Sequence, residues 1–459
     1  MSLMSYKNIN KKCPTGIKEL DHILGGGFDR GSIVLLAGHP GAGKSTFAAQ
    51  FVYKGASEYG EPGVYVSFSE SKKEFYEHMK AFGFDFNKLE KKNIFKFLSM
   101  ISIADEKIVG SIINNIYGAV EEIRAKRLVI DSITSMLEAF TLKEARAFLH
   151  ANVLLGLKPY GITTLLIADL PWGKETIGHG FEEFLADAII VLKLDEKRGL
   201  TRRILEIRKN RGAPTPRVSY DFVITNEGIK LYVPLEASLS GGFTKERAPT
   251  GIPELDEMLG GGILKGSVVL ISGPSGTGKT LISLNFAIEG ARRGERVVYI
   301  SFEEPRNQLK TAIRNMGVNL EELEKYLYIY SLSPRLFTPA ALYSFYDKLL
   351  EKHKPSRVVI DGAYALARHY EEEEYLELIR NISLLSKAHR VTLVVTALSN
   401  IISLEEVGIS TIADVLIALW FDISGGYIRK KIAILKQRGS WHDARQKELV
   451  IEDGKVKII

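Results

Sequence analysis

One eight-residue pattern occurs twice in this chain of 459 residues, and it constrains the fold more than any other feature. Both copies have the form G-x-x-x-x-G-K-[ST], whose glycines let a loop curl closely around a chain of phosphates. Each copy follows a short apolar run and precedes an amphipathic segment, which predicts a buried strand, a loop and a helix with an anion-binding start. The two copies are Gly38, His39, Pro40, Gly41, Ala42, Gly43, Lys44 and Ser45, and Gly273, Pro274, Ser275, Gly276, Thr277, Gly278, Lys279 and Thr280.

The lysine and the hydroxyl residue that end each copy indicate a site for a nucleoside triphosphate. Lys44 and Lys279 would contact the β- and γ-phosphates, and the hydroxyls of Ser45 and Thr280 would ligate Mg²⁺. The pattern therefore predicts two sites for ATP with Mg²⁺. The nucleotide contacts are expected to extend to the next residue of each copy, Thr46 and Leu281.

Composition is that of an ordinary soluble globular protein, with 45% hydrophobic and 25% charged residues. No apolar run reaches the roughly 20 residues of a membrane span, and no signal peptide opens the sequence. The single cysteine, Cys13, excludes an internal disulfide and fits a reducing compartment, so we expect a cytoplasmic protein without a membrane partner. The net charge of +6 is too small to indicate nucleic acid by itself.

The two loops belong to a repeat that covers nearly the whole chain. Residues 15–21 read T-G-I-K-E-L-D, residues 250–256 read T-G-I-P-E-L-D, and three glycines follow each soon afterwards. A repeat this long indicates tandem domains rather than a solenoid. The small-residue stretch 238–242 is typical of a linker, so we predict a first domain at residues 1–240 and a second at 241–459.

Apolar runs alternate with helical patterns within each copy. This alternation predicts an α/β fold, a mostly parallel β-sheet flanked by helices on both faces. The expected parallel strands are residues 32–37, 64–68, 128–131 and 163–167 in the first copy, and 267–272, 297–302, 358–361 and 392–396 in the second. Residues 202–209 and 428–436 are expected to add antiparallel strands.

An aspartate ends the third predicted strand of each copy. Ligands of such sheets bind beyond the carboxyl ends of the strands, so Asp131 and Asp361 would lie near the phosphate loops. A carboxylate at this place steadies Mg²⁺, usually through a water molecule. The alternative is a turn residue at a strand end.

Acidic residues also end the second predicted strand. Glu303 and Glu304 do so in the second copy, and Ser69 and Glu70 in the first. A glutamate here would polarise the water that attacks the γ-phosphate, and we assign Glu304 to the metal as well. The alternative is the first turn of the next helix, where acidic residues are favoured anyway. Ser69 cannot act as a carboxylate base, so the first copy depends on Glu70.

Basic residues recur late in each copy as K-x-R-G. Lys209 and Arg211 lie in the first copy, and Lys436 and Arg438 hold the same places in the second. Basic residues on a strand usually face solvent. Their recurrence instead favours a shared role as cations supplied to a nucleotide by an adjoining subunit.

Taken together, these segments resemble the KaiC family of RecA-type ATPases. The openings, both phosphate loops, F-E-E at 302–304, both K-x-R-G segments and R-G-S-W-H-D at 438–443 carry the resemblance. It implies two tandem RecA-like P-loop NTPase domains in a homo-oligomer, a hexamer of two rings. It further implies ATP between neighbouring subunits, with the K-x-R side chains reaching it from the neighbour. His442 is assigned to the nucleotide on the same resemblance.

The resemblance implies ATP hydrolysis in the first ring and a serine/threonine autokinase in the second. The acceptors would be Ser410 and Thr411, in the segment I-S-T-I-A-D at 409–414. The first copy has E-E-F-L-A-D at 182–187, without a hydroxyl pair, which favours phosphorylation of the second domain alone. The alternative is a plain helix start that carries hydroxyl residues.

Two departures from the family limit these expectations. Ser69 stands where the family has the first of two glutamates, so hydrolysis in the first ring is expected to be slow or to rely on Glu70. The sequence ends at Ile459 without the C-terminal peptide that the family's activating partner grips, so regulation by such a partner is not expected.

Three functional interpretations remain open from the sequence. The first is an oligomeric regulatory ATPase, with autokinase activity in its second domain and unknown protein partners. The second is a RecA- or RadA-like DNA-dependent ATPase, since a fold alone does not fix function. No zinc motif, helix-turn-helix signature or basic arm supports it, so nucleic acid is not indicated. The third is a nucleotide-gated scaffold with little hydrolysis, which Ser69 favours for the first copy.

Overall fold

The chain divides into two compact units in the computed structural model, residues 1–233 and residues 234–459. The structure describes residues 11–100, 106–137, 140–197, 199–211, 219–233, 244–398, 408–452 and 454–459. The predicted linker at 238–242 and Gly212 of the first K-x-R-G segment lie outside these residues. No helix of the described residues is long and apolar enough to cross a membrane.

The first domain is a nine-stranded sheet with helices on both faces and one small two-stranded sheet. Its strands are β1 (Lys12–Cys13), β2 (Phe28–Asp29), β3 (Ile33–Gly38), β4 (Gly63–Ser67), β5 (Phe95–Ser99), β6 (Arg127–Asp131), β7 (Thr163–Asp169), β8 (Ala188–Lys197), β9 (Leu200–Asn210), β10 (Ser219–Thr225) and β11 (Gly228–Tyr232). Its α-helices are α1 (Lys18–Ile23), α2 (Lys44–Glu58), α3 (Lys72–Lys80), α4 (Phe86–Lys91), α5 (Glu106–Glu122), α6 (Ile133–Leu137), α7 (Leu142–Phe148) and α8 (Glu182–Leu185). A π-helical segment, Leu149–Leu155, continues α7.

The second domain repeats this architecture. Its strands are β12 (Arg247–Ala248), β13 (Ile263–Leu264), β14 (Val268–Ser272), β15 (Val297–Ser301), β16 (Leu327–Ser331), β17 (Arg357–Asp361), β18 (Thr392–Ala397), β19 (Val415–Asp422), β20 (Arg429–Gln437), β21 (Lys447–Glu452) and β22 (Lys455–Ile458). Its α-helices are α9 (Pro253–Met258), α10 (Lys279–Arg292), α11 (Arg306–Asn315), α12 (Leu320–Leu323), α13 (Pro339–His353), α14 (Tyr364–Ala367), α15 (Glu372–Ala388) and α16 (Gly408–Ile412).

Strand order is the same in both large sheets. The first runs β11-β10-β9-β8-β3-β7-β6-β4-β5, and the second runs β22-β21-β20-β19-β14-β18-β17-β15-β16. The six strands from β8 to β5 are parallel, while β9, β10 and β11 join in antiparallel pairs. The predicted mostly parallel sheet with antiparallel additions is therefore confirmed. The sequence interpretation missed β5, β8, β10 and β11, although the apolar run at the start of β8 was a usable signal.

Each large sheet is buried on both faces, which explains its continuously apolar strands. Along β3, Val34 and Leu36 contribute to the core that contains α2, whereas Ile33, Leu35 and Ala37 contribute to the core on the other face. Because successive side chains of a strand point to opposite faces, no position of β3 is left for a polar side chain. The phosphate loop at its end is thus held by a fully packed strand.

A fully buried arginine is the first residue of β6 in the first domain and of β17 in the second. Arg357 Nη1 donates to the carbonyl oxygens of Pro249 at 2.7 Å and Phe286 at 3.0 Å, and its Nε pairs with the Glu295 carboxylate. Arg127 makes the equivalent contacts in the first domain. These contacts join the segment before the T-G-I opening to the helix that follows the phosphate loop. They explain why the two segments recur together in the repeat.

Replacing Arg357 by alanine tests this anchor. We expect a loss of about 3 kcal/mol in the unfolding free energy of the second domain, because a partly buried carboxylate and two carbonyls lose their partner. Urea unfolding followed by circular dichroism measures it. The control is Arg293→Ala, whose half-exposed side chain pairs with Glu289 at 2.6 Å and should cost less than about 1 kcal/mol. Equal effects of the two substitutions would contradict the anchoring role.

Candidate functional site

Both phosphate loops connect a buried strand to a long helix. In the second domain β14 ends at Ser272 and α10 begins at Lys279; in the first, β3 ends at Gly38 and α2 begins at Lys44. Thr46 lies in the first turn of α2. Each loop therefore lies at the carboxyl edge of its parallel strands, where the first turn of a helix presents free N–H groups.

Two glycines of each loop are required by the backbone. Gly43 and Gly278 cap the helices with φ of 108°, a left-handed conformation that glycine adopts without strain. A Cβ on Gly273 would lie 2.3 Å from the Leu419 carbonyl oxygen, and one on Gly38 would meet its neighbouring strand as closely. The loops thus form a narrow backbone cradle of the kind that fits a phosphate chain.

The loop lysines fold back over this cradle. Lys279 Nζ donates to the carbonyl oxygens of Gly273 at 2.8 Å and Pro274 at 2.7 Å. Lys44 Nζ makes the same contact with Gly38 at 2.9 Å. Burial lowers the pKa of Lys279, and the nearby carboxylates of Glu303 and Asp361 oppose that shift. An anion in the cradle would replace these carbonyls as the partner of each ammonium.

The loop hydroxyls contact the strand-end aspartates. Ser45 Oγ donates to Asp131 Oδ2 at 2.8 Å, and Thr280 Oγ1 donates to Asp361 Oδ2 at 3.1 Å. Burial raises the pKa of Asp131, against the hydrogen bonds that Tyr65 and Ser45 donate to it. A hydroxyl and a carboxylate held together supply the oxygen donors that Mg²⁺ prefers, so the residues present fit this metal.

A buried tyrosine, which the sequence interpretation missed, fixes each aspartate. Tyr65 donates its hydroxyl to Asp131 Oδ2 at 2.6 Å, and Tyr299 donates to Asp361 Oδ2 at 3.0 Å. Burial raises the pKa of both phenols, which therefore remain donors. The sequence did contain a signal for this contact, since β4 and β15 carry the tyrosine at equivalent positions. Contacts of this kind orient the ligands of a metal.

In the second domain these groups surround one cleft of about 540 Å³. Its lining includes the phosphate loop with Lys279, Thr280 and Leu281, and the acidic residues Glu303, Glu304 and Asp361. Burial raises the pKa of Glu304, and the charges of Asp361 and Glu303 raise it further. The structure thus brings together the acidic and phosphate-loop residues that the sequence singled out.

The cleft also contains a cation that the sequence interpretation missed. Lys430 of β20 lines it, between Phe421 of β19 and Leu449 of β21 in the sheet register. Arg203 of β9 holds the same place in the first domain, where it pairs with Phe222 of β10. The sequence did contain a signal for this cation, because a basic residue stands at equivalent positions of the two copies. Lys430 can contact a bound anion from within its own chain.

The first domain differs from the second in the acidic residues that surround its phosphate-loop lysine. Ser69 is exposed, and the Glu70 carboxylate lies 3.2 Å from His78 Nδ1. Asp169, at the end of β7, lies 3.0 Å from Lys44 Nζ and was missed by the sequence interpretation.

The K-x-R residues of each domain lie at the end of the sheet where its parallel strands begin. The phosphate loop of the same domain lies at the other end, where those strands finish. In the second domain Gln437, between Lys436 and Arg438, pairs with Val415, which is level with Val269 near the start of β14. Val269 lies four residues before Gly273, the first residue of the loop, which is a span of roughly 13 Å. Lys209 holds the corresponding place on β9, where it pairs with Ile189 near the start of β8, and Arg211 follows directly after that strand. Within the described part of the second domain, the residues that line the cleft do not include Lys436, Arg438 or His442.

Local acceptors hold these cations at that edge. Lys436 Nζ donates to the carbonyl oxygens of Ser410 at 2.9 Å and Ala413 at 2.7 Å, and Arg438 Nη2 donates to that of Thr411 at 3.3 Å. In the first domain, Lys209 Nζ donates to the Glu183 carbonyl at 3.1 Å, and Arg211 Nη1 pairs with Asp187 at 3.2 Å. The K-x-R segments therefore support α8 and α16 within the chain.

The two predicted phosphoacceptors lie in α16, at this same edge. Ser410 is half-buried and Thr411 is exposed. They are therefore far from the phosphate loop of their own domain, and the structure does not bring them together with the residues of its cleft.

Two tandem α/β domains, each with a strand–loop–helix phosphate cradle and a strand-end aspartate on its hydroxyl, define a P-loop NTPase of RecA-like architecture. A family model described as "ATPase: KaiC" matches residues 13–236 and again residues 248–459. The chain therefore belongs to the KaiC family of ATPases.

Named relatives show the same similarity over nearly the whole chain. The circadian clock oscillator protein KaiC of Parathermosynechococcus lividus is 31% identical over 99% of this chain and 86% of its own length. Its counterpart in Synechococcus elongatus is 31% identical over 96% of this chain and 88% of its own length. The one in Prochlorococcus marinus is 29% identical over 96% of this chain and 91% of its own length.

The raised pKa of Glu304 predicts the pH dependence of ATP turnover in the second domain. The carboxylate takes up a proton only when ionised, so turnover should rise with pH, and at higher pH than an ordinary carboxyl would give. Steady-state rates between pH 4 and pH 9, with the first site disabled by Lys44→Ala, measure this. Glu304→Gln should slow turnover and remove the rise, whereas Glu321→Gln on the exposed face of α12 should not. An unchanged pH profile in Glu304→Gln would exclude Glu304 as the general base.

Proposed function

We propose that the chain is a homo-oligomeric, Mg²⁺-dependent regulatory ATPase in which a neighbouring copy completes each nucleotide site. The observation that carries the proposal is the separation of two sets of residues in each domain. The phosphate loop and the acidic residues gather at the carboxyl edge of the sheet, while the K-x-R cations lie at the opposite edge. One domain cannot bring both of its own sets to the same phosphate, but the matching domains of two adjoining chains can.

The loop binds ATP through its backbone N–H groups and its lysine. Lys279 would exchange the Gly273 and Pro274 carbonyls for β- and γ-phosphate oxygens, which keeps the partly buried ammonium paired. Thr280 and Asp361 would hold Mg²⁺, which when bound neutralises charge on the phosphates. The corresponding residues of the first domain are Lys44, Ser45 and Asp131.

Glutamates of the second domain would prepare the attacking water. Glu303 and Glu304 line the cleft beside Lys279, and the raised pKa of Glu304 suits a residue that takes up a proton. Lys430 would stabilise negative charge that develops on the phosphates. Lys436 and Arg438 of the adjoining copy would add further positive charge, as cations supplied in trans do in other phosphoryl-transfer sites.

Family membership supports a hexamer, and the curated relatives are clock oscillator proteins by name, which supports a regulatory role. We further propose that the second domain phosphorylates Ser410 or Thr411 of a neighbouring copy. Thr411, an exposed residue, lies at the end of the sheet that the assembly would turn toward the adjoining phosphate loop. We also propose a cytoplasmic location, because the single buried Cys13 is suited to a reducing compartment.

Mixing two inactive variants tests completion in trans. With the first site disabled by Lys44→Ala in both, Lys279→Ala removes the phosphate contact and Arg438→Ala removes the supplied cation. Each variant alone should turn over ATP at least tenfold more slowly in the second domain. An equal mixture, reassembled from subunits, should regain about a quarter of the activity, since that fraction of interfaces pairs two intact halves.

The control mixture contains Arg429→Ala in place of Arg438→Ala. The side chain of Arg429, on β20, is half-exposed, so this variant should be active alone. Sizing by light scattering with and without ATP accompanies the assay. No recovery in reassembled mixtures would place both halves of the site in one chain. Undiminished ATP binding by the second domain of Lys279→Ala would contradict the site itself.

Incubation with ATP labelled at its γ-phosphate tests the autokinase. Peptide mapping by mass spectrometry should place the label on Ser410 or Thr411, and the double substitution by alanine should abolish it. Glu304→Gln should also reduce it, because the acceptor hydroxyl needs a base as water does. Ser424, an exposed serine on the same domain, is the internal control. Absence of label would reduce the second domain to an ATPase or a scaffold.

A further inference from the structure

An acidic residue with no assigned role faces the phosphate loop of the first domain. Asp169 Oδ1 lies 3.0 Å from Lys44 Nζ, and its side chain is 45% exposed. Asp169 ends β7, pairs in register with Gly38, and lies on the strand between β3 and β6. It therefore occupies the place between the phosphate loop and the aspartate that would hold the metal.

The second domain has no acidic side chain at this place. There Ala397 pairs with Ser272, so Leu398 is level with Gly273 and corresponds to Asp169. The charges that act on Lys279 come instead from Glu303 and Asp361. The residue equivalent to Glu303 in the first domain is Ser69. Among the residues that the structure describes, each phosphate-loop lysine thus has a nearby carboxylate besides the aspartate that would hold the metal, and this carboxylate follows a different strand in each domain.

Glu70, which holds the place of Glu304, is paired with a histidine in the first domain. Its carboxylate lies 3.2 Å from His78 Nδ1, on the helix that follows. By contrast, the loop after Asp169 is attached to the phosphate loop, because Trp172 stacks on His39 with ring centroids 4.2 Å apart. His39 is itself held by the Leu194 N–H at 3.1 Å. These contacts hold the Asp169 carboxylate beside the phosphate cradle.

We propose that Asp169 is the catalytic carboxylate of the first nucleotide site, in place of the glutamate that Ser69 replaces. This assignment rests on the proposed ATPase function. When Lys44 turns to the phosphates of ATP, Asp169 loses its ammonium partner and accepts a hydrogen bond from a water beside the γ-phosphate.

The reaction then follows ordinary hydrolysis. The water oxygen forms a bond to the γ-phosphorus while the bond from that phosphorus to the bridging oxygen breaks, and its electron pair leaves on ADP. The proton of the water passes to the Asp169 carboxylate and from there to the released phosphate or solvent. No other reactant is needed.

The test measures ATP hydrolysis and ATP binding separately in the full chain, with the second site disabled by Lys279→Ala. Asp169→Asn should lower kcat about a hundredfold, a typical effect of removing a general base. ATP binding, followed by equilibrium filtration, should be unchanged or tighter, because the competing carboxylate is gone. Asp169→Glu should recover part of kcat. Glu175→Gln, which removes an exposed charge from the same loop, should match the parent.

The outcomes separate this proposal from the broader one. Tighter binding with an unchanged kcat in Asp169→Asn would make Asp169 a counter-ion of the empty loop and would overturn the assignment. A hundredfold loss in Glu70→Gln with no loss in Asp169→Asn would transfer the role to Glu70. A Lys279→Ala parent that binds no ATP at all would overturn the proposed function of the first site, and the catalytic assignment with it.

Discussion

The hydrogen bond from a loop hydroxyl to a strand-end aspartate, Ser45 to Asp131 and Thr280 to Asp361, is the contact on which each site depends. It joins the start of the helix that presents the phosphate cradle to a strand that is not adjacent to the loop strand. A buried tyrosine donates to the same oxygen, Oδ2, of the aspartate, so the carboxylate has little freedom. The site is preorganised because its polar groups are satisfied by one another in a packed, apolar sheet.

Parallel strands also explain why the acidic residues and the K-x-R cations of each domain lie apart. Parallel pairing brings all carboxyl ends to one edge, so the loop, the aspartate and the glutamates meet there. An antiparallel strand returns in the opposite direction, so β20 carries Lys430 to that edge and Lys436 to the other. One strand therefore provides a cation to its own cleft and another cation to the far end of the domain, which is where the proposed assembly needs it.

The two domains share a backbone but differ in the charges around their lysines. The second has two glutamates after β15, one with a raised pKa. The first has Ser69 at that place, a Glu70 beside His78, and a carboxylate from β7 on Lys44. Duplication preserved the cradle, whose geometry depends on glycines and packed strands. The acidic residues lie at strand ends, where substitutions do not disturb the core, and there the copies have diverged.

The sequence by itself determined the tandem repeat, the class of fold, the family, and the residues of the phosphate loops. Those properties follow from local patterns, because glycine spacing and continuous apolar runs report directly on backbone conformation and burial. Only the tertiary structure decided which side chains meet. Tyr65 reaches Asp131, Asp169 reaches Lys44, and Lys430 enters the cleft because strand order and register place distant segments side by side. The placement of Lys436 opposite its own loop was likewise decided by the register of β20 against β19, which the sequence pattern does not encode, although that pattern predicted an antiparallel strand there.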